Sequence, residues 1–268
     1  MARQAQLPPV RIAVIGPTGA GKTTFVSRVT GNTDLEIDDG VDSVTQDAVS
    51  VSCTIDGRQV TLIDTPGFDD PGKGRSDVDI LRLVSKHLMD RHGRDTKLNG
   101  VVLLQLVSNA RVGASEAFRT RLFKMMIGEE SYDRVVIGGT HAKDHKEGQN
   151  RVDKRTARPD IWGGMVKRGA RALPYRDNQK EALRIVRWLM ECDAKHIKLQ
   201  EELASGKTLE ETAAGKEINK QKSEEVIKLQ DKLRDLQSDR DATKAEIDDL
   251  RDKIYHREQE IMDLKRGC

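Results

Sequence analysis

Eight consecutive residues, Gly16-Pro17-Thr18-Gly19-Ala20-Gly21-Lys22-Thr23, fit the pattern G-x-x-x-x-G-K-[ST]. They follow the apolar run Val10–Ile15 and precede a helix-forming stretch, the context in which this pattern has a mechanism. Glycines let the backbone wrap a polyphosphate so that successive N–H groups and a helix N-terminus face negative charge. Residues Gly16 to Thr24 are therefore the expected nucleotide-binding segment. Lys22 would reach the β- and γ-phosphates, and the Thr23 hydroxyl would ligate Mg²⁺.

Asp64-Thr65-Pro66-Gly67 lies 41 residues beyond Thr23 and ends a second apolar run. A carboxylate at the carboxyl end of a strand beside such a loop can hold Mg²⁺ through water, and the Gly67 N–H can sense a γ-phosphate. Between the two motifs lies Ser43-Val44-Thr45-Gln46. Thr45 would give its hydroxyl to Mg²⁺ and its amide to the γ-phosphate, forming a switch ordered by the triphosphate. The expected metal ligands are thus Thr23, Thr45 and Asp64, and the expected catalytic contacts are Lys22, Thr45 and Gly67. After Gly67 comes Phe68, where many small G-proteins carry a water-orienting glutamine. Hydrolysis is then expected to be slow, or assisted by Asp69, Asp70 or a partner's residue.

Base recognition is less direct. A strand over Arg134–Gly138 would ordinarily lead into [NT]-K-x-D, whose Asp accepts hydrogen bonds from guanine. Here it leads into Gly139-Thr140-His141-Ala142-Lys143-Asp144, with the Asp one residue late. Asp144 is the candidate acceptor, with a solvated loop carboxylate as the alternative. Asn178, after the last strand, either contacts the purine or caps the helix that follows.

These residues need a scaffold. Short β-branched runs alternate with amphipathic stretches over the first 195 residues, the pattern of an α/β domain with a mostly parallel sheet. Strands are expected at Val10–Ile15, Val49–Ile55, Gln59–Asp64, Gly100–Val107, Arg134–Gly138 and Ala172–Pro174. The Asp56-Gly57 pair marks an antiparallel hairpin between the second and third, a Ras-like departure from an all-parallel sheet. Helices are expected after Gly21 and over Val78–Arg91, Ser115–Ile127, Arg155–Arg168 and Asn178–Cys192. Gly31–Val44 and Pro66–Asp77 read as loops.

Beyond Pro174 there is no proline, and from Val226 apolar residues recur every seven. Val226, Leu233, Ile247, Ile254 and Ile261 fall at a, and Leu229, Leu236, Leu250 and Leu264 at d. Arg240, Thr243 and Arg257 weaken the seam. In a parallel dimer the flanking pairs are mostly opposite in charge, as in Asp239/Lys244 and Glu246/Arg251. A two-stranded coiled coil follows, with a lone, solvated, charge-rich helix as the alternative. The expected layout is a flexible segment over residues 1–9, a nucleotide-binding domain over 10–195 and a helical tail over 196–268.

The bulk numbers agree with that division. Charged residues make up 34% of the 268 and aromatic residues 3%, so part of the chain stays outside a packed core. The tail from His196 holds 15 basic and 18 acidic residues of the chain's 46 and 44, leaving 31 and 26 before it. Neither part is basic enough to point to nucleic acid. Cys53, Cys192 and Cys268 are too few and scattered for disulfides or a metal site, which suits a reducing cytoplasm. No window approaches the roughly 18 apolar residues of a membrane span, and the first residues lack a signal-peptide core, so the chain is expected to be soluble or at most peripheral.

The motifs V-x-G-P-T-G-A-G-K-T-T-F, S-V-T-Q and T-L-I-D-T-P-G-F-D-D, with Asp177-Asn178 before an amphipathic helix, resemble the septin-like branch of GTPases. That branch includes immunity-associated GTPases, septins, chloroplast import receptors and fungal G-domain proteins with helical tails. The resemblance covers about Arg11–Leu189. It implies a guanine nucleotide (GTP or GDP) with Mg²⁺ at Gly19, Gly21, Lys22 and Thr23, switch roles for Thr45, Asp64 and Gly67, and a base loop at Thr140-His141-Ala142. Lys143 stands where tailed relatives keep an Asp. The resemblance also implies a homodimer across the nucleotide face, which the coiled coil could reinforce. Three readings remain open: a GTP-dependent switch with slow turnover, a nucleotide-binding coiled-coil scaffold with negligible turnover, and an ATPase.

Overall fold

The computed structural model describes residues 8–31, 49–68, 76–90, 96–238 and 243–266. Six strands form one sheet in the order β2-β3-β1-β4-β5-β6. They are β1 (Val10–Ile15), β2 (Val49–Ile55), β3 (Arg58–Asp64), β4 (Gly100–Leu106), β5 (Val135–Thr140) and β6 (Arg171–Pro174). Among the six described strands only β2 and β3 pair antiparallel, from Val49 opposite Asp64 to Ile55 opposite Arg58, as the Asp56-Gly57 turn requires. All other pairs are parallel.

Central strands covered on both faces read as unbroken apolar runs, and β1 and β4 do. Val102 and Leu104 of β4 pack to one side with Ile12 and Val14, together with Phe25 of α1 (Lys22–Thr30) and Ile185 and Leu189. Val101 and Leu103 face the other way with Ala13 and Ile15, against Leu81 and Val84 of α2 (Asp77–Asp90) and Leu122 and Phe123 of α3 (Ala114–Ile127).

One helix differs from expectation. The stretch Arg155–Arg168 is not a single helix: α4 runs His145–Thr156, a π turn spans Pro159–Gly163, and α5 is one turn, Gly164–Val166. Proline disfavours helical backbone in the residue before it, so α4 ends ahead of Pro159. Its start is fixed by Asp144, whose side chain accepts from the Glu147 amide, while few of its residues are apolar enough to show a period. Next, α6 (Gln179–Met190) buries Ala182, Ile185, Val186 and Leu189, an i, i+3, i+4, i+7 stripe.

The tail is helical but not one helix. It forms α7 (Lys198–Ala204), α8 (Ala213–Ser238) and α9 (Lys244–Lys265). Ion pairs from Lys222 to Glu260 (3.0 Å) and from Glu225 to Arg257 (2.8 Å) run α8 and α9 antiparallel, as a hairpin within the chain. The heptad seam therefore folds back on itself, and Glu225 finds Arg257 where a parallel dimer would have offered Gln230. The break falls at the weak seam positions: Thr243 caps α9 in a reciprocal box with Glu246, and Arg240 lies outside the described residues. Nor does the tail stand apart. Ile197, Leu199, Leu209, Ala214, Ile218 and Leu264 share one buried cluster with β4, α2 and α3. Among the described residues no helix is long and apolar enough to cross a membrane.

Candidate phosphate- and nucleotide-binding site

The loop after β1 is shaped by its glycines. A β-carbon on Gly16 would lie 2.3 Å from the Leu104 carbonyl oxygen, and Gly19 and Gly21 have φ of 73° and 84°, a region that glycine enters without steric cost. Gly21 is the N-cap of α1 and offers no side chain to its orphan amides. An uncapped helix N-terminus behind a glycine turn is an anion site. Lys22 is buried and lays its Nζ 3.0 Å from the Pro17 carbonyl, curled over the loop. Pro17 has no N–H, so it contributes that carbonyl rather than a phosphate donor. Ala20 is wholly buried beside Phe25, leaving its backbone as its only means of contact.

Parallel pairing of β1 with β3, with Val14 opposite Asp64, brings the second motif to this loop. The Thr23 hydroxyl donates to Asp64 Oδ2 at 2.7 Å. Asp64 is 3% exposed, so an aspartate and a hydroxyl are held together at the strand end. Two hard oxygen donors suit Mg²⁺, which relies on few protein ligands and fills its octahedron with phosphate and water oxygens. Thr65 is instead structural: its amide and hydroxyl both donate to the Val14 carbonyl.

Gly67 presses on the loop itself. A β-carbon there would lie 2.3 Å from Thr18 Oγ1 and 2.5 Å from Thr18 N. The Thr18 amide donates to the Phe68 carbonyl at 3.1 Å, and the Phe68 amide to the Gly16 carbonyl at 3.4 Å. Phe68 is fully buried, its ring edge-on to Phe123 of α3 at 5.4 Å. The expectation that it cannot orient water is met by a stronger fact, since the side chain is part of the core. Thr45, Asp69 and Asp70 lie outside the described residues.

At the far end, β5 extends through Thr140, whose hydroxyl donates to the Gln105 carbonyl. His141 adopts φ of 60°, and its Nδ1 sits 3.1 Å from Thr140 Oγ1. Asp144 is exposed and its Oδ1 accepts from the Glu147 amide at 2.8 Å, while Glu147 accepts from the Lys143 amide. That backbone bond holds the Asp144 carboxyl below the usual aspartate range. Asn178 repeats the device on the neighbouring strand's loop: it accepts from the Glu181 amide at 2.9 Å, and Glu181 accepts from the Arg176 amide. Both candidate base contacts are helix caps, which for Asn178 is the alternative expected and for Asp144 is a cap where a solvated loop carboxylate was the alternative.

Residues 11–131 match the family model described as "50S ribosome-binding GTPase". The match takes in the loop, Thr23, Asp64 and Gly67, the residues whose geometry is given above. The matched residues are thus similar to a P-loop GTPase G domain, and the sheet has the Ras-like GTPase topology. GTPase Der of Bordetella petrii is 29% identical over 116 residues, 42% of this chain and 24% of that protein. GTPase Der of Paenarthrobacter aurescens is 39% identical over 69 residues, 26% of this chain and 14% of that protein. The matched part thus spans a quarter or less of these relatives. Among solved structures, Toc33 from Arabidopsis thaliana in complex with Mg²⁺ and GMPPNP aligns at a TM-score of 0.52 and 16% identity, over 70% of this chain and 88% of that one. A structure of the chloroplast translocon components atToc33 and psToc159 aligns at 0.56 and 17%, over 70% and 86%. At such identities the likeness is one of fold.

Two features of this G domain were not read from the sequence. Arg28 of α1 makes a two-pronged ion pair with Asp177 at 2.9 and 3.1 Å, tying the helix behind the P-loop to the loop after β6. Arg155 of α4, wholly buried, pairs with Glu116 of α3 through two bonds of 2.5 and 2.9 Å and also donates to the Asn109 carbonyl. Both link residues far apart in sequence, which local pattern does not show.

Proposed function

We propose that this protein is a Mg²⁺-dependent guanine-nucleotide switch of the septin-like branch that hydrolyses GTP slowly to GDP and phosphate. The observation that carries the reading is the Thr23–Asp64 contact of 2.7 Å beside an uncapped helix N-terminus and the Lys22 ammonium. In this reading the amides of Gly19 to Thr23 and Lys22 neutralise the β- and γ-phosphates, as transition-state charge builds on the transferred group. Thr23 and Asp64, with Thr45, would hold Mg²⁺, which would supply positive charge to the polyphosphate. Gly67 senses the γ-phosphate. Thr140, His141, Asp144 and Asn178 surround the base, with Asp144 Oδ2 left to accept from guanine while Oδ1 caps α4.

Dimerisation is described as important for the GTPase activity of atToc33 and psToc159. By analogy, a homodimer across the nucleotide face would assist turnover here. The burial of Phe68 also favours a second reading, a nucleotide-binding scaffold with negligible turnover. Single-turnover phosphate release from GTP, measured across a range of protein concentrations, separates the two. Release that rises with concentration supports the assisted switch, and release no faster than buffer supports the scaffold.

A further inference from the structure

The tail hairpin sits on α2 and α3. Lys222 of α8 is 6% exposed and faces three carboxylates from three helices: Asp77, the first residue of α2, at 3.8 Å; Glu225 of α8 at 4.0 Å; and Glu260 of α9 at 3.0 Å. Arg82 of α2 donates to the Asp263 carbonyl of α9 at 2.9 Å, and Arg121 of α3 pairs with Glu217 of α8 at 2.7 Å. Below these polar links, Ile218 and Leu264 are buried in the cluster that holds Phe68 and Phe123.

The same cluster reaches the P-loop through Phe68 and the adjoining Gly67. The Thr18 amide, one of the loop's donors, is bonded to the Phe68 carbonyl, and Gly67 lies against Thr18. A γ-phosphate that recruited the Thr18 amide would compete with that bond. Phe68 is packed on α3, and α2 follows it in the chain. Packed cores respond to shifts by changing between discrete arrangements, not by smooth deformation.

We infer that docking of the α8–α9 hairpin on α2 and α3 is coupled to the nucleotide: the hairpin is held down when Gly67 and Phe68 close on the P-loop, as here, and is released by a γ-phosphate. Lys222, beside Arg82, is one of the residues that join α2 to the hairpin. The inference rests on the nucleotide reading above and adds the element that reports the bound state. Coupling is reciprocal, so whatever loosens the hairpin raises affinity for the triphosphate relative to the diphosphate by the factor the triphosphate uses to loosen it.

The test uses the full chain. Hydrogen exchange of α8 and α9 amides is compared at saturating GDP and saturating GMPPNP with Mg²⁺, and both affinities are measured for the wild type and for Lys222→Met. Exchange at least about fivefold faster with GMPPNP, and a GMPPNP-to-GDP affinity ratio raised at least about fivefold by the substitution, are the expected results, the lower end of ordinary allosteric couplings. Should Lys222→Met fail to fold, Glu217→Ala, which loosens the hairpin at a more exposed ion pair, takes its place with the same expected direction. Equal exchange in both nucleotides, or an unchanged ratio in a folded variant, overturns the coupling while leaving the nucleotide reading intact. Failure to bind either nucleotide removes that reading, and the coupling with it.

Discussion

Replacing Phe68 by glutamine puts into this G domain the side chain that many small G-proteins carry after the D-x-x-G glycine, and the structure says it will not behave as it does there. The Phe68 ring is fully buried and edge-on to Phe123. Truncating a buried phenylalanine to its β-carbon costs about 3–5 kcal/mol, of which the one further methylene of glutamine recovers about 0.8 kcal/mol. An amide left in that apolar setting without partners adds about 1–3 kcal/mol. The net loss is about 3–7 kcal/mol, a large part of the roughly 5–15 kcal/mol that separates a domain from its unfolded chain. The assay is urea unfolding followed by circular dichroism, with the midpoint and slope read separately, alongside single-turnover phosphate release. The expected outcome is a lower midpoint at unchanged slope with no gain in hydrolysis. A stability loss under about 1 kcal/mol with faster hydrolysis would refute the reasoning, because the side chain would then stand in the phosphate cleft and not in the core.

Lys22→Ala is expected to lower nucleotide affinity beyond detection while the circular dichroism spectrum and cooperative unfolding persist. Breaking the buried ion pair with Arg155→Met is expected to cost about 3–5 kcal/mol in urea unfolding, and adding Glu116→Leu should recover much of it, since the lone carboxylate is what destabilises. Asp144→Asn keeps an N-cap acceptor but changes half the face offered to a purine, so the preference for GTP over ATP should fall with little change in melting temperature. The same variant tests a pH effect. Asp144 has a lowered folded pKa, so its stabilising contribution is complete above the ordinary aspartate value of about 3.9 and is lost as pH falls through the lower folded value. Acid unfolding of Asp144→Asn should therefore lack that component below about pH 4.

Much of the fold is legible because the signals are local. The apolar runs of β1 and β4, the Asp56-Gly57 turn and the stripe on α6 each fix their element by short-range chemistry. The same is true of the P-loop, where Gly16 and Gly21 meet steric demands that only glycine satisfies cheaply. The α4 start is marked by Asp144 followed by Glu147, but its polar surface gives no period, and the expected helix Arg155–Arg168 begins ten residues downstream of the observed one. The tail shows a different limit. A heptad records that two helices meet, not whether the second belongs to another chain or to the same one. The sign of the fold-back was present in Thr243 and Glu246, a capping box inside what read as a continuous seam. The burial of Phe68 and the Arg155–Glu116 and Arg28–Asp177 pairs arise from long-range packing, which no local pattern encodes.

Isothermal titration of the full chain with GDP and GMPPNP, with and without Mg²⁺ and with ATP as competitor, bears most directly on the nucleotide assignment. Saturable 1:1 binding of both guanine nucleotides, tightened by Mg²⁺ in wild type but not in Asp64→Asn, is the predicted result. Heats no greater than dilution for every nucleotide, in a protein shown to be folded, would contradict it.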